Sequence, residues 1–255
     1  MCWDFFIFDF VNLLMKYLLS FISILIFTNF QTKIKERDIE VFDKQRNRKI
    51  PVTLYLPKKI HNIPLVILNH GYNENKPNAN KGYSFIGMEL AAQGCMVASI
   101  QHELPTDELL PKSGDIQTVR KPFWDRGSDN ILSVINHLKK RYPKLDFNQI
   151  ILIGHSMGGD ISVTFTKKHP ELVYKLITLD HRRVTLPRVS TPRIYSLRSS
   201  DQIADEGVLP SKEEQAKLGI VIVKLSNTIH NDMNDNATPV QKREMISWIL
   251  SFLTD

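Results

Sequence analysis

Residues 149–170, "QIILIGHSMGGDISVTFTKKHP", pass from a run of aliphatic residues, through a turn crowded with glycine, into a segment with helical spacing. A serine set where those two patterns meet constrains the fold strongly. The backbone must turn sharply there, and the residue at the apex is forced into a strained conformation that projects its side chain away from the sheet. Gly154 and Gly158, two positions to either side, and Gly159 beyond them leave room for the turn and for close packing of the helix. Ser156 then stands exposed at a strand end, beside the first free amides of a helix. The amide of Met157 is there to stabilise a developing oxyanion.

The rest of the chain supplies a sheet for that junction. "DIEVFD" and "KIPVTLYLP" read as a hairpin around "KQRNRK". Strands and helices alternate from there. "IPLVILNH" is a strand, "SFIGMELAAQG" a helix closed by Gly94, and "CMVASIQ" the next strand. Ile131, Val134, Ile135 and Leu138 recur at helical spacing in a segment that ends in "KKR", matching the helix dipole, before Pro143. "QIILIG", "YKLITLD", "RIYSLRS" and "IVIVKLS" are four further buried strands. The last helix opens on Thr238, Pro239 and Gln241, a capping box with a first-turn proline, and is expected to bury Met245, Trp248, Ile249, Phe252 and Leu253. This order predicts one α/β domain over residues 31–255, with a mainly parallel central sheet and helices on both faces.

Composition narrows the function classes. The net charge of +6 comes from scattered lysines and arginines with no basic run interleaved with aromatics, which argues against nucleic acid. Two cysteines, Cys2 and Cys95, offer neither a disulfide framework nor a CxxC metal site. Residues 1–30 are largely apolar. Their cleanest run, "YLLSFISILIF", is shorter than the roughly 20 residues of a spanning helix and follows Met15-Lys16 directly. That layout predicts a signal peptide, with translation starting at Met15; a retained membrane anchor is the main alternative and a buried amphipathic helix the lesser one. Either leading reading exports the domain to the periplasm or the medium. Oligomeric state is left open.

With the serine junction, the strand order and a histidine, His230, in the loop "KLSNTIHNDMND" after the last strand, residues 38–255 resemble the α/β-hydrolases. The resemblance implies a triad in the order serine, acid, histidine, with Ser156 as nucleophile and His230 as base. "HNDM" is similar to the histidine loop of the chlorophyllases. His61, His137 and His169 have weaker claims, and His70 reads as a brace for its loop. For the acid, the family pattern favours Asp201 after "RIYSLRS", in "SSDQIA", which resembles the acid loop of secreted polyester hydrolases. The platelet-activating-factor acetylhydrolases and chlorophyllases place theirs after the preceding strand, which makes Asp180 the rival. Asp180 has a plainer reading as an ion-pair partner of Arg182 or Arg183, and Asp205 is too far from its strand. The second oxyanion amide is implied at Tyr72, in "LNHGYNEN", where Gly71 lets the backbone approach.

"QHELPTDELLP" gathers His102, Glu103, Asp107 and Glu108, but its spacing is not HExxH and no second histidine follows, so no metal is expected. By the family's geometry this loop belongs at the mouth of the site, and Phe123 and Trp124 in "VRKPFWDRG" are candidates for an acyl pocket or for core. Only about a dozen residues separate "KLITLD" from "RIYSLRS", too few for a large cap domain. The expectation is a serine ester hydrolase that works without a cofactor through an acyl-enzyme on a small-molecule ester. An acyltransferase, a thioesterase or a non-catalytic exported binding protein on the same fold are the alternatives. Arg182 and Arg183 are possible ligands of a substrate carboxylate.

Overall fold

The computed structural model describes residues 34–255; the leader expected at 1–30 lies outside them. Eight strands form one sheet: β1 (Lys35–Asp43), β2 (Arg48–Leu56), β3 (Pro64–Asn69), β4 (Met96–Ile100), β5 (Asp146–His155), β6 (Lys175–Leu179), β7 (Arg193–Arg198) and β8 (Val221–Lys224). Their order is β1-β2-β4-β3-β5-β6-β7-β8. The β1–β2 hairpin is antiparallel and β2 joins β4 antiparallel, whereas every pairing from β4 to β8 is parallel. The central strands carry apolar runs, LVIL in β3 and IILI in β5, because both of their faces are covered.

Alternation along each strand divides the core in two. Leu65, Ile67, Ile150 and Leu152 face one layer. Val66, Leu68, Ile151 and Ile153 face the other. The first layer is completed by α2 (Ile116–Arg141) and α3 (Met157–Lys168), the second by α1 (Ser84–Ala92) and α5 (Pro239–Thr254). A short helix, α4 (Lys212–Leu218), precedes β8 and carries a capping box between Ser211 and Glu214. The capping box of α5 forms as read from the sequence: Gln241 N–H donates to Thr238 Oγ1 and Thr238 N–H to Gln241 Oε1.

One packing expectation needs correction, and one open choice is resolved. Trp248 is 38% exposed, since it sits on the flank of α5 while Met245, Ile249 and Phe252 point inward. Phe123 and Trp124 lie inside α2, which begins at Ile116, well before the periodic stretch that announced it. Both side chains are buried in the core. Of the two readings, pocket or core, this is the second. The segment between β6 and β7, residues 180–192, holds no helix and no cap.

Candidate active site

The strand-to-helix junction at β5 and α3 has the strained form that its sequence requires. Ser156 adopts φ 51 and ψ −120, outside the regions open to most L-residues. Close packing holds it there. A Cβ on Gly154 would lie 2.2 Å from the carbonyl oxygen of Gly158, and one on Gly158 would lie 2.2 Å from that of Asn69. The helix therefore rests directly on β3, and Ser156 is lifted to the carboxyl ends of the parallel strands.

Three side chains from three strand ends meet at that edge. The Ser156 hydroxyl is 3.0 Å from His230 Nε2, and His230 Nδ1 is 2.6 Å from Asp180 Oδ2. A carboxylate can only accept, so Nδ1 carries the proton and Nε2 accepts from the serine. Asp180 follows β6 with φ 53, a left-handed conformation that aspartate tolerates better than most residues. Its carboxyl is fully buried. Burial alone raises a carboxyl pKa. Here the hydrogen bond from His230, the charge of Arg198 and two hydrogen bonds from Ser199 outweigh it, and Asp180 is held below the usual carboxylate range.

The acid position departs from the sequence reading. Asp201, favoured there, does not reach the imidazole; its Oδ1 accepts the backbone N–H of His230 at 2.7 Å. The chain leaving β7 turns at Ser199 and Ser200, where the Ser200 amide donates to Thr228 O at 2.8 Å. This seam aims Asp201 at the backbone of the histidine loop and leaves the ring to Asp180. Nor does Asp180 pair with Arg182 or Arg183. Both of those approach Asp205, at 3.7 and 2.6 Å. Asp180 instead faces Arg198, whose Nη2 lies 2.8 Å from Oδ1, near in charge though off the hydrogen-bond direction. Ser199 completes the clamp, its N–H donating to Oδ1 and its hydroxyl to Oδ2.

Sequence reasoning passed over two further residues, Tyr83 and His155. The Gly71 N–H donates to the Tyr83 hydroxyl at 3.0 Å, and that hydroxyl lies 2.7 Å from His155 Nδ1. His155 Nε2 lies 3.1 Å from the carbonyl of His230, and the two rings pack at a tilt of 39° with centroids 4.6 Å apart. The partners fix the direction: Tyr83 donates to Nδ1, and Nε2–H donates to the carbonyl. Burial keeps His155 neutral, with its pKa lowered to about 3. His155 was visible inside the serine motif. Tyr83, at the N-cap of α1, carried no local signal.

His70 braces its loop, as expected. Its Nδ1–H donates to Gly71 O and its Nε2 accepts the amide of His102, while burial lowers its pKa to about 4. The 101–111 loop stands behind this turn and does not line the cleft at Ser156. Leu110 N–H donates to the Tyr72 hydroxyl, and Asn75 donates to the carbonyls of Asp107 and Glu108. Asp107 is taken by Arg48, at 2.6 Å. Glu103 is buried, and its pKa rises to about 8. No group of three or more potential metal ligands occurs among the described residues.

A cleft of about 270 Å³ opens beside the serine, lined by Gly71 and Tyr72, by Ser156 and His230, and by asparagines from two loops. Met157 is the first residue of α3, where an amide has no intrahelical partner.

Comparison with known proteins agrees with this architecture. The family model described as "Serine aminopeptidase, S33" matches residues 61–179, a span that contains Ser156 and ends just before Asp180. The chain is similar to a bis(hydroxyethyl) terephthalate hydrolase of Streptomyces coelicolor, 27% identical over 184 residues. That match takes in 68% of this chain and 53% of the relative, so the chain spans about half the length of that protein. Among solved structures, the esterase Est22 superposes with a TM-score of 0.65 at 15% identity, covering 87% of this chain and 82% of that one. A hyperthermophilic esterase from the archaeon Pyrobaculum calidifontis gives 0.62 at 14% identity, covering 85% and 84%. At such identities the structural likenesses speak for the fold. Strand order, the serine-bearing turn and these matches together show the α/β-hydrolase fold.

Proposed function

We propose that the protein is a serine-dependent carboxylic ester hydrolase. The observation that carries this reading is the hydrogen-bonded series Ser156–His230–Asp180, at 3.0 and 2.6 Å, set on a strained turn at the edge of an open cleft. As Ser156 Oγ attacks the ester carbonyl, its proton passes to His230 Nε2, and Asp180 stabilises the imidazolium without taking the proton. The carbonyl oxygen becomes an oxyanion held by the amides of Tyr72 and Met157. Collapse expels the alcohol, which takes the proton from Nε2 and leaves an acyl-enzyme. Water then attacks by the same route in reverse roles.

The absence of a cap between β6 and β7 favours water as the acceptor, because nothing there shields the acyl-enzyme from solvent. The named substrate of the Streptomyces relative is also an ester. Export, by a cleaved leader or a membrane tether, belongs to the same proposal and rests on the apolar run 17–27.

The test is covalent labelling by a fluorophosphonate alongside hydrolysis of p-nitrophenyl acetate. Labelling and turnover by the parent, both lost in Ser156→Ala and in His230→Ala, are expected. Equal labelling of parent and Ser156→Ala would overturn the assignment.

A further inference from the structure

The two loops that frame the cleft are unusually rich in asparagine, and their asparagines divide into two kinds. Some hold the loops together. Asn75 donates to the carbonyls of Asp107 and Glu108, Asn80 donates to Thr53 Oγ1, and Asn234 donates to the carbonyl of Asn231. Asn73 and Asn78 in one loop, and Asn231 and Asn236 in the other, are exposed at the cleft, and their side-chain amides have no partner among the described residues. Asp235, between them, is not free to bind, since its two oxygens accept the amides of Ser84 and Phe85 at the start of α1.

What lines the cleft is informative about what fills it. Among the described residues, lysine and arginine do not contribute to the wall, so an anionic substrate finds no counter-charge there, and no aliphatic side chain larger than alanine is present to hold a long acyl chain. Both tyrosine hydroxyls are engaged within the protein, Tyr72 with Leu110 and Tyr83 with Gly71 and His155. Four primary amides remain. Each offers a donor and an acceptor side by side, the complement of a hydroxyl group, which does both. About 270 Å³ lies just below the range of roughly 300–1,000 Å³ of sites for drug-sized ligands and suits a single ring.

We infer that this cleft receives the alcohol half of an O-acylated carbohydrate, its ring hydroxyls paired with the amides of Asn73, Asn78, Asn231 and Asn236, with the acyl carbon at Ser156. This rests on the esterase reading. The acyl group itself meets no long apolar channel in the cleft, so a short one such as acetyl is the matching substrate.

The experiment compares two acetates of primary alcohols on six-membered rings, methyl 6-O-acetyl-glucopyranoside and cyclohexylmethyl acetate, which differ chiefly in the ring hydroxyls. With the full chain, kcat/KM for the sugar acetate is expected to exceed that for the carbocycle at least about tenfold, given the worth of several hydrogen bonds. In Asn73→Ala, Asn231→Ala and Asn236→Ala this ratio falls by about threefold to tenfold per amide removed. Asn148→Ala, exposed within β5, keeps the parent ratio. A parent ratio of one or less overturns the inference, as does a ratio that survives loss of all three amides. Turnover of p-nitrophenyl acetate with neither ring acetate cleaved overturns it too, and in these cases the esterase reading stands. A folded protein that cleaves no ester, p-nitrophenyl acetate included, overturns both.

Discussion

Asp180 receives four interactions, from His230 and Arg198 and twice from Ser199, and none of its lone pairs faces water. The carboxylate is thus fixed in ionisation and in direction, which is what an imidazole needs from its partner if Nε2 is to point at the serine. The end of β7, which carries the acid in most α/β-hydrolases, here carries the groups that clamp the Asp180 carboxylate at the end of β6. Ser199→Ala removes one hydrogen bond to the charged oxygen that His230 uses. We expect kcat to fall about tenfold to a hundredfold, on the order of 1.5–3 kcal/mol for a bond to a charged group, while KM changes little. A kcat within twofold of the parent would show that Arg198 and the Ser199 amide suffice. The sequence left this choice open for a physical reason. Both strands end in a segment with an aspartate, and which one meets the ring depends on the positive φ at Asp180 and on the Ser200–Thr228 seam, neither of which leaves a pattern in residue type.

At the level of elements, the site is held by contacts between loops that follow different strands. The path from Gly71 through Tyr83 and His155 to the carbonyl of His230 ties the turn after β3 to the histidine loop after β8. Tyr83→Phe would keep the buried ring and leave the Gly71 amide and His155 Nδ1 unpaired. An unmet buried group costs about 1–3 kcal/mol, so both the melting temperature and kcat/KM should drop, the latter about tenfold. An unchanged kcat/KM with a lowered melting temperature would make Tyr83 purely structural. Strong local signals made the elements themselves legible: the GHSMGG turn, the capping box at Thr238 and the apolar strands. The mouth of the site was less so. Phe123 and Trp124 admit both a pocket and a core reading because the periodicity of α2 becomes plain only after them, and Pro122 stands just before them inside the helix.

Across the whole molecule, buried titratable groups set the response to pH. Burial depresses the pKa of His70 to about 4 and of His155 and His181 to about 3, and His102 is also lowered. In the unfolded chain these rings take protons near pH 6.5, so below that the unfolded state binds more protons and stability is lost on acidification. Glu103, raised to about 8, and Asp160, raised to about 6, act in the opposite sense: they lose stability as pH rises above their ordinary values of 4.5 and 3.8. Four rings outweigh two carboxyls. The urea midpoint should be greatest near neutrality, fall steeply between pH 6 and 4, and fall gently from 7 to 8, with Glu103→Gln flattening the alkaline side. A midpoint unchanged between pH 6.5 and 5 would show that these histidines are not held neutral.

The central claim is the pairing of Ser156 and His230 with Asp180, and the most direct measurement is kcat/KM for p-nitrophenyl acetate in Asp180→Asn beside Asp201→Asn. Replacing a triad aspartate by asparagine presents the wrong hydrogen-bonding partner to the imidazole and costs about 10⁴ in a well-studied serine protease. We expect a loss of about 10³–10⁴ for Asp180→Asn, and for Asp201→Asn, which weakens only the bond to the His230 backbone, a loss of less than about tenfold. A larger loss in Asp201→Asn than in Asp180→Asn would contradict the assignment.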